Sequence, residues 1–114
     1  ERNLYASCRV DEHGDLLEIR EKHSFERDKT RALHSPGAYF FDSGRRLKTY
    51  AGRLVASGDS LNGEFYVSMI YNHLLADGLR VSVPTGIDRF CQWGTPEDLA
   101  EYLYWTDVAR RRLA

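Results

Sequence analysis

Apolar residues occupy alternate positions at the start of this chain: Leu4, Ala6, Cys8 and Val10 interleave with Tyr5, Ser7 and Arg9. A period of two belongs to a strand with one buried face, and a helix does not present it. Asp11-Glu12-His13-Gly14 then supplies turn chemistry, and Leu17 and Ile19 alternate with Glu18 and Arg20. The opening segment therefore predicts a β-hairpin, which commits the chain to a sheet whose apolar face something else must cover.

The rest of the sequence offers that cover. His23 to Ser35 is polar and aperiodic, and reads as a surface loop. Ala38-Tyr39-Phe40-Phe41, bounded by Pro36-Gly37 and Asp42-Ser43-Gly44, is a continuous apolar run of the kind found in strands buried on both faces. Leu47, Tyr50, Ala51, Leu54 and Val55 form a helical stripe capped by Ser43, and Val67, Ile70, Tyr71 and Leu74 form a second that stops near Gly78. Leu79, Val81 and Val83 alternate as a short strand, another extended piece ends near Cys91, and a last helix opens at Pro96. Thr95 can cap that helix, Pro96 suits its first position, and Glu97 and Asp98 face the positive end of its dipole. The order is β-β-β-α-α-β-β-α, which predicts an α/β or α+β layer with a mixed sheet and flanking helices. The last helix carries two apolar faces, Leu99-Tyr102-Leu103 and Tyr104-Trp105-Val108, and so needs two partners. Further sequence or a neighbouring subunit would supply the second, which makes this helix the candidate surface for a homo-oligomer.

At 114 residues the chain is read as one domain, residues 1–114. Sixteen Lys and Arg against seventeen Asp and Glu leave a formal charge of -1, so no nucleic-acid-binding surface is expected. The Arg110-Arg111-Arg112 run sits where cations complement a helix dipole. Cys8 and Cys91 make no disulfide framework, and they are expected to be reduced thiols in a cytoplasmic protein. No apolar run approaches the roughly 18 residues of a membrane span. Beginning at Glu1 just before a strand, without a signal peptide, the chain reads as a piece of something longer.

Three short constellations carry chemistry. Glu21-Lys22 follows a strand, where a carboxylate can accept from sugar hydroxyls while an ammonium holds a phosphate; a solvated ion pair is the simpler reading. Gly37 either lets a ligand approach the backbone or merely serves a turn. Glu64 lies near a helix start with Asn72 two turns further on, and as a first-turn charge it would need no ligand.

In order, "YASCRVDEHGDLLEIREK", "GAYFFDSG", "GEFYVSMIYNHLLADG" and "WGTPEDLAEY" resemble the second half of the sugar-phosphate nucleotidyltransferase family, the group that includes glucose-1-phosphate thymidylyltransferase. The likeness spans about Leu4 to Tyr104 and is nearest the members encoded with capsule and surface-polysaccharide genes. It implies a Rossmann-like α/β/α fold, of which this chain is the carboxyl-terminal, sugar-phosphate-binding part. It also implies a reaction that joins a nucleoside triphosphate to a sugar phosphate, or another phosphorylated alcohol, with Mg²⁺ and release of pyrophosphate. By that resemblance Glu21 contacts sugar hydroxyls, Lys22 takes the sugar phosphate, Gly37 and Tyr39 line the pocket, and Glu64 is a further polar wall. In-line attack on the α-phosphorus asks for positioning and charge neutralisation, which suits such residues.

Three departures qualify the likeness. The amino-terminal nucleotide-binding half with its Gly-rich loop is absent, so the chain alone is expected to be inactive. Gln92 stands near a position where many members have a metal-binding Asp, and Ala6 where relatives often have Gly. The alternative is a non-catalytic sugar-phosphate-binding or regulatory module derived from the same fold. A third reading, a structural or oligomerisation unit, draws only on the last helix. His13, His23, His34 and His73 show no metal-ligand spacing, and no metal site is assigned.

Overall fold

The computed structural model describes residues 4–87 and 89–113. The predicted hairpin is present as β1, Ser7–Val10, and β2, Leu16–Arg20, paired antiparallel. Its turn is organised by Asp11, whose Oδ1 accepts from the N–H groups of His13 at 2.8 Å and Asp15 at 2.9 Å. Gly14 completes the turn at φ 80°, a conformation that favours glycine.

One detail of the hairpin differs from the alternating pattern. Arg9 pairs with Glu18 but Val10 pairs with Leu16, so Leu17 is an extra residue in β2. This bulge rotates Leu16 onto the core face beside Ile19 and leaves Leu17 48% exposed. Simple alternation had placed Leu17 inside.

The segment from His23 to Ser35 is more than a surface loop. It contains a 3-10 turn, Lys29–Arg31, capped by the Asp28 carboxylate, and then β3, Leu33–His34, which pairs antiparallel with β1. The sheet order is β2-β1-β3. Phe25 donates its N–H to the buried Ser7 hydroxyl at 3.4 Å, so this segment covers the face of β1 opposite the core.

Two helices cover the other face. α1, Gly44–Ser57, begins at Ser43, whose Oγ accepts from Arg46 N–H at 3.0 Å, and ends at Gly58 in the left-handed region. α2, Ile70–Ala76, follows a 3-10 turn at Val67–Met69 and stops before Gly78, at φ 75°. The core joins Ala6, Leu16 and Ile19 of the sheet segment to Tyr50 and Leu54 of α1 and Ile70, Tyr71 and Leu74 of α2. The helical stripes are thus the core faces, except that Val55 and Val67 are exposed.

Among the described residues the structure is mixed α/β, with a three-stranded antiparallel sheet and three α-helices. The expected mixed sheet is corrected, because every strand pairing among the described residues is antiparallel. Ala38–Phe41 is not a buried strand. Tyr39 and Phe41 pack on the Tyr71 ring at centroid distances of 5.8 and 5.0 Å, while Phe40 is 83% exposed. A strand buried on both faces needs a layer on each side, and only the α2 side is supplied. Leu79 to Val83 is likewise reduced to an isolated bridge, Asp15 to Ser82, supported by Leu16 N–H to Val81 O at 2.7 Å.

α3, Pro96–Leu113, forms where predicted, with Thr95 Oγ1 accepting from Asp98 N–H at 3.2 Å. It buries no residue. Both apolar faces stay largely open, and the radius of gyration is 17.0 Å, against about 13 Å for a compact domain of this length.

Candidate functional site

The candidate site lies where β2 ends. The Asn72 side chain, reaching from α2, accepts from Ile19 N–H at 3.1 Å and donates to Ile19 O at 2.8 Å. These are the two bonds a neighbouring strand would make, so a side-chain amide stands in for a strand and fixes the edge of β2 two residues before Glu21. The chain then turns through Lys22 at φ 50°. A residue with a Cβ in that region costs on the order of 1 kcal/mol, and such strain persists only where surrounding contacts impose it.

Glu21 meets Ser68, a hydroxyl on the 3-10 turn ahead of α2 that is only 1% exposed. Ser68 Oγ donates to Glu21 Oε1. The hydroxyls of Ser68 and Ser35 and the Glu21 carboxylate all act on the Tyr39 phenol. Burial, first, pushes that phenol above its ordinary value, and the charge of Glu21 adds to the rise. Tyr39 is therefore near enough to Glu21 for the carboxylate's charge to reach its phenol.

Lys22 meets Glu64. Its Nζ lies 4.0 Å from Glu64 Oε2 and 5.1 Å from the centre of the Tyr66 ring, while the Tyr66 hydroxyl donates to Glu64. Glu64 is not a first-turn helix residue, which corrects the sequence expectation. It closes a two-residue Asn62-Gly63 turn in which both residues have positive φ, with Leu61 N–H to Glu64 O at 2.9 Å and the reverse bond at 3.0 Å. Asn-Gly between extended residues signals such a turn, and the helical stripe that begins just after it masked the signal.

Gly37 sits apart from this cluster, on the exposed loop that carries Tyr39. Its φ of 82° supports the turn reading, and its N–H donates to Ser35 Oγ at 3.1 Å. A Cβ built there would meet nothing within 4 Å, so the space beside it is also open to a ligand. Behind Tyr39 an open apolar cavity of about 1000 Å³ is lined by Tyr39, Phe41, Tyr71, Cys8, Leu33 and Phe90, among others. Burial pushes the Cys8 thiol up from its ordinary value.

Sequence reasoning missed Ser68 and Tyr66. Both lie within "GEFYVS", but a serine or tyrosine there gives no sign of which strand end it will face.

Gln92 bonds within its own segment, donating from Nε2 to Asp98 Oδ2 at 2.7 Å. That bond, ahead of the Thr95 contacts, holds the Asp98 carboxyl below its ordinary value. Glu21 is engaged by Ser68, Glu64 by Tyr66 and Lys22, and Asp98 by Gln92. Among the described residues no three His, Cys, Asp or Glu side chains group to hold a metal ion. No described helix is long and apolar enough to cross a membrane.

Comparison of the chain with family models, curated proteins and solved structures finds no match.

Proposed function

We propose that this chain is the sugar-phosphate-binding part of a nucleotidyltransferase of surface-polysaccharide biosynthesis. The complete enzyme would join a nucleoside triphosphate to a sugar phosphate, or another phosphorylated alcohol, and release pyrophosphate. The carrying observation is the convergence of Glu21-Lys22 at the end of β2 with Tyr39, Ser68 and Glu64 from distant segments. A hydroxyl-accepting carboxylate and an ammonium are adjacent at a strained turn, the carboxylate engaged by Ser68 and the ammonium near Glu64. That division suits a ligand with hydroxyls at one end and a phosphate at the other.

In this reading Lys22 neutralises the attacking phosphate, and Glu21 and Tyr39 orient the sugar so that a phosphate oxygen lines up with the α-phosphorus. Glu64 holds the Lys22 ammonium until phosphate displaces it. Nucleotide binding, Mg²⁺, a cytoplasmic location and a homo-oligomer through α3 belong to the same proposal, and rest on the resemblance of the four motifs.

The test is calorimetric titration of the chain with glucose 1-phosphate, glucose and inorganic phosphate. The reading expects glucose 1-phosphate to bind tightest, with Lys22→Ala weakening both phosphorylated probes. Equal or absent binding of all three would overturn it.

The tie between Gln92 and Asp98 favours a second reading, a non-catalytic module that binds a sugar phosphate without turning it over. Gln92→Asp in the complete protein separates the two, since a gain of Mg²⁺-dependent pyrophosphate release supports descent from an enzyme.

A further inference from the structure

The Glu21 carboxylate lies at a strand exit whose geometry two α2-side residues impose. Asn72 fixes the backbone of Ile19, and Ser68 fixes the carboxylate itself. Ser68 differs from an ordinary helix-lead serine in being 1% exposed, with its hydroxyl turned towards Glu21 and the Tyr39 phenol rather than to water. A hydroxyl has one proton to give, and here it goes to Glu21 Oε1. An apolar side chain at this place would leave that oxygen without its donor, and the carboxylate would swing to find another.

We infer that Ser68 is the positioning residue of the site, holding Glu21 as an oriented acceptor so that the pocket selects ligands by their hydroxyl groups. The inference rests on the sugar-phosphate reading and deepens it. One oxygen of Glu21 is occupied by Ser68, and the other can accept from a ligand hydroxyl. Tyr39 beside it adds a second polar contact to the same wall. Lys22, 4.0 Å from Glu64 and above the Tyr66 ring, takes the phosphate. Recognition of hydroxyls and recognition of phosphate are therefore separable, and Ser68 governs only the first.

The experiment compares Ser68→Ala and Ser68→Thr with the parent chain, using glucose 1-phosphate and inorganic phosphate as probes. Circular dichroism and the unchanged phosphate affinity report that each variant is folded. The expected result is that Ser68→Ala loses about tenfold of the preference for glucose 1-phosphate over phosphate, the scale of one misplaced hydrogen bond to a charged group. Ser68→Thr, which keeps the hydroxyl, restores most of it. If the parent prefers glucose 1-phosphate and Ser68→Ala keeps that preference, the role given to Ser68 is overturned while the functional reading stands. If Ser68→Ala weakens both probes equally, Ser68 is merely structural and the inference also fails. If the parent shows no preference, the functional reading fails and takes the inference with it.

Discussion

Asn72 pairs with the backbone of Ile19 across 53 positions of sequence, giving and receiving one hydrogen bond each, at 2.8 and 3.1 Å. The pairing ties α2 to the strand that presents Glu21 and Lys22. Asn72→Ala leaves both Ile19 groups unpaired in a half-buried setting and is expected to cost about 2 kcal/mol in urea unfolding. Asn72→Asp keeps an acceptor for Ile19 N–H but sets a carboxylate oxygen against Ile19 O, which it repels, and should also destabilise. Amide exchange at Ile19 should accelerate in both variants.

Leu54, 2% exposed, bridges α1 to the core beneath the sheet. Leu54→Ala is expected to destabilise by about 2–4 kcal/mol, read from the denaturant midpoint at constant slope. A change below about 1 kcal/mol would mean that α1 does not pack as described.

Asp77 joins the two helices, accepting from the Tyr50 hydroxyl at 2.6 Å and from Arg53. The Tyr50 bond first, and then the Arg53 guanidinium, hold its carboxyl below the ordinary 3.8. A carboxyl lowered on folding adds stability that is present above its unfolded value and is lost as pH falls through the folded one. Asp77→Asn should therefore be less stable than the parent at pH 7, and the gap should close as the pH is taken well below 3.8. Midpoints measured across that range check the sign.

Lys22 sits in the left-handed region at φ 50°. Lys22→Gly relieves the steric cost and is expected to stabilise the chain by up to about 1 kcal/mol, while weakening phosphate binding. Loss of stability would show that the side-chain contacts with Tyr66 and Glu64 outweigh the strain.

α3 buries nothing, so Trp105→Ala should change stability by less than about 0.5 kcal/mol. A larger loss would indicate that this helix docks in solution.

Local signals were the ones the sequence carried well. The Asp11 to Gly14 turn, the Ser43 and Thr95 caps and the stop at Gly78 each depend on a few adjacent residues, and each is present. The elements that failed depend on distant partners. Ala38–Phe41 has strand composition, yet a strand exists only when a neighbour takes its backbone groups, and here Tyr71 Oη donates to Phe40 O at 2.9 Å instead. The Leu17 bulge was hidden because alternation says nothing about register. At the site, Glu21, Lys22 and Glu64 were legible as charged residues near turns. Ser68 was not, since a serine gains its role only from the carboxylate that folding places beside it.

Both tryptophans of the chain, Trp93 and Trp105, lie on α3 or just before it, and both are exposed, whereas the buried aromatics Tyr50 and Tyr71 are tyrosines. Indole emission thus reports on one appendage and is nearly blind to the packed interior. A melting curve followed by tryptophan fluorescence would miss the collapse of the core, and a blue shift of that emission would mark the moment something comes to lie against the helix.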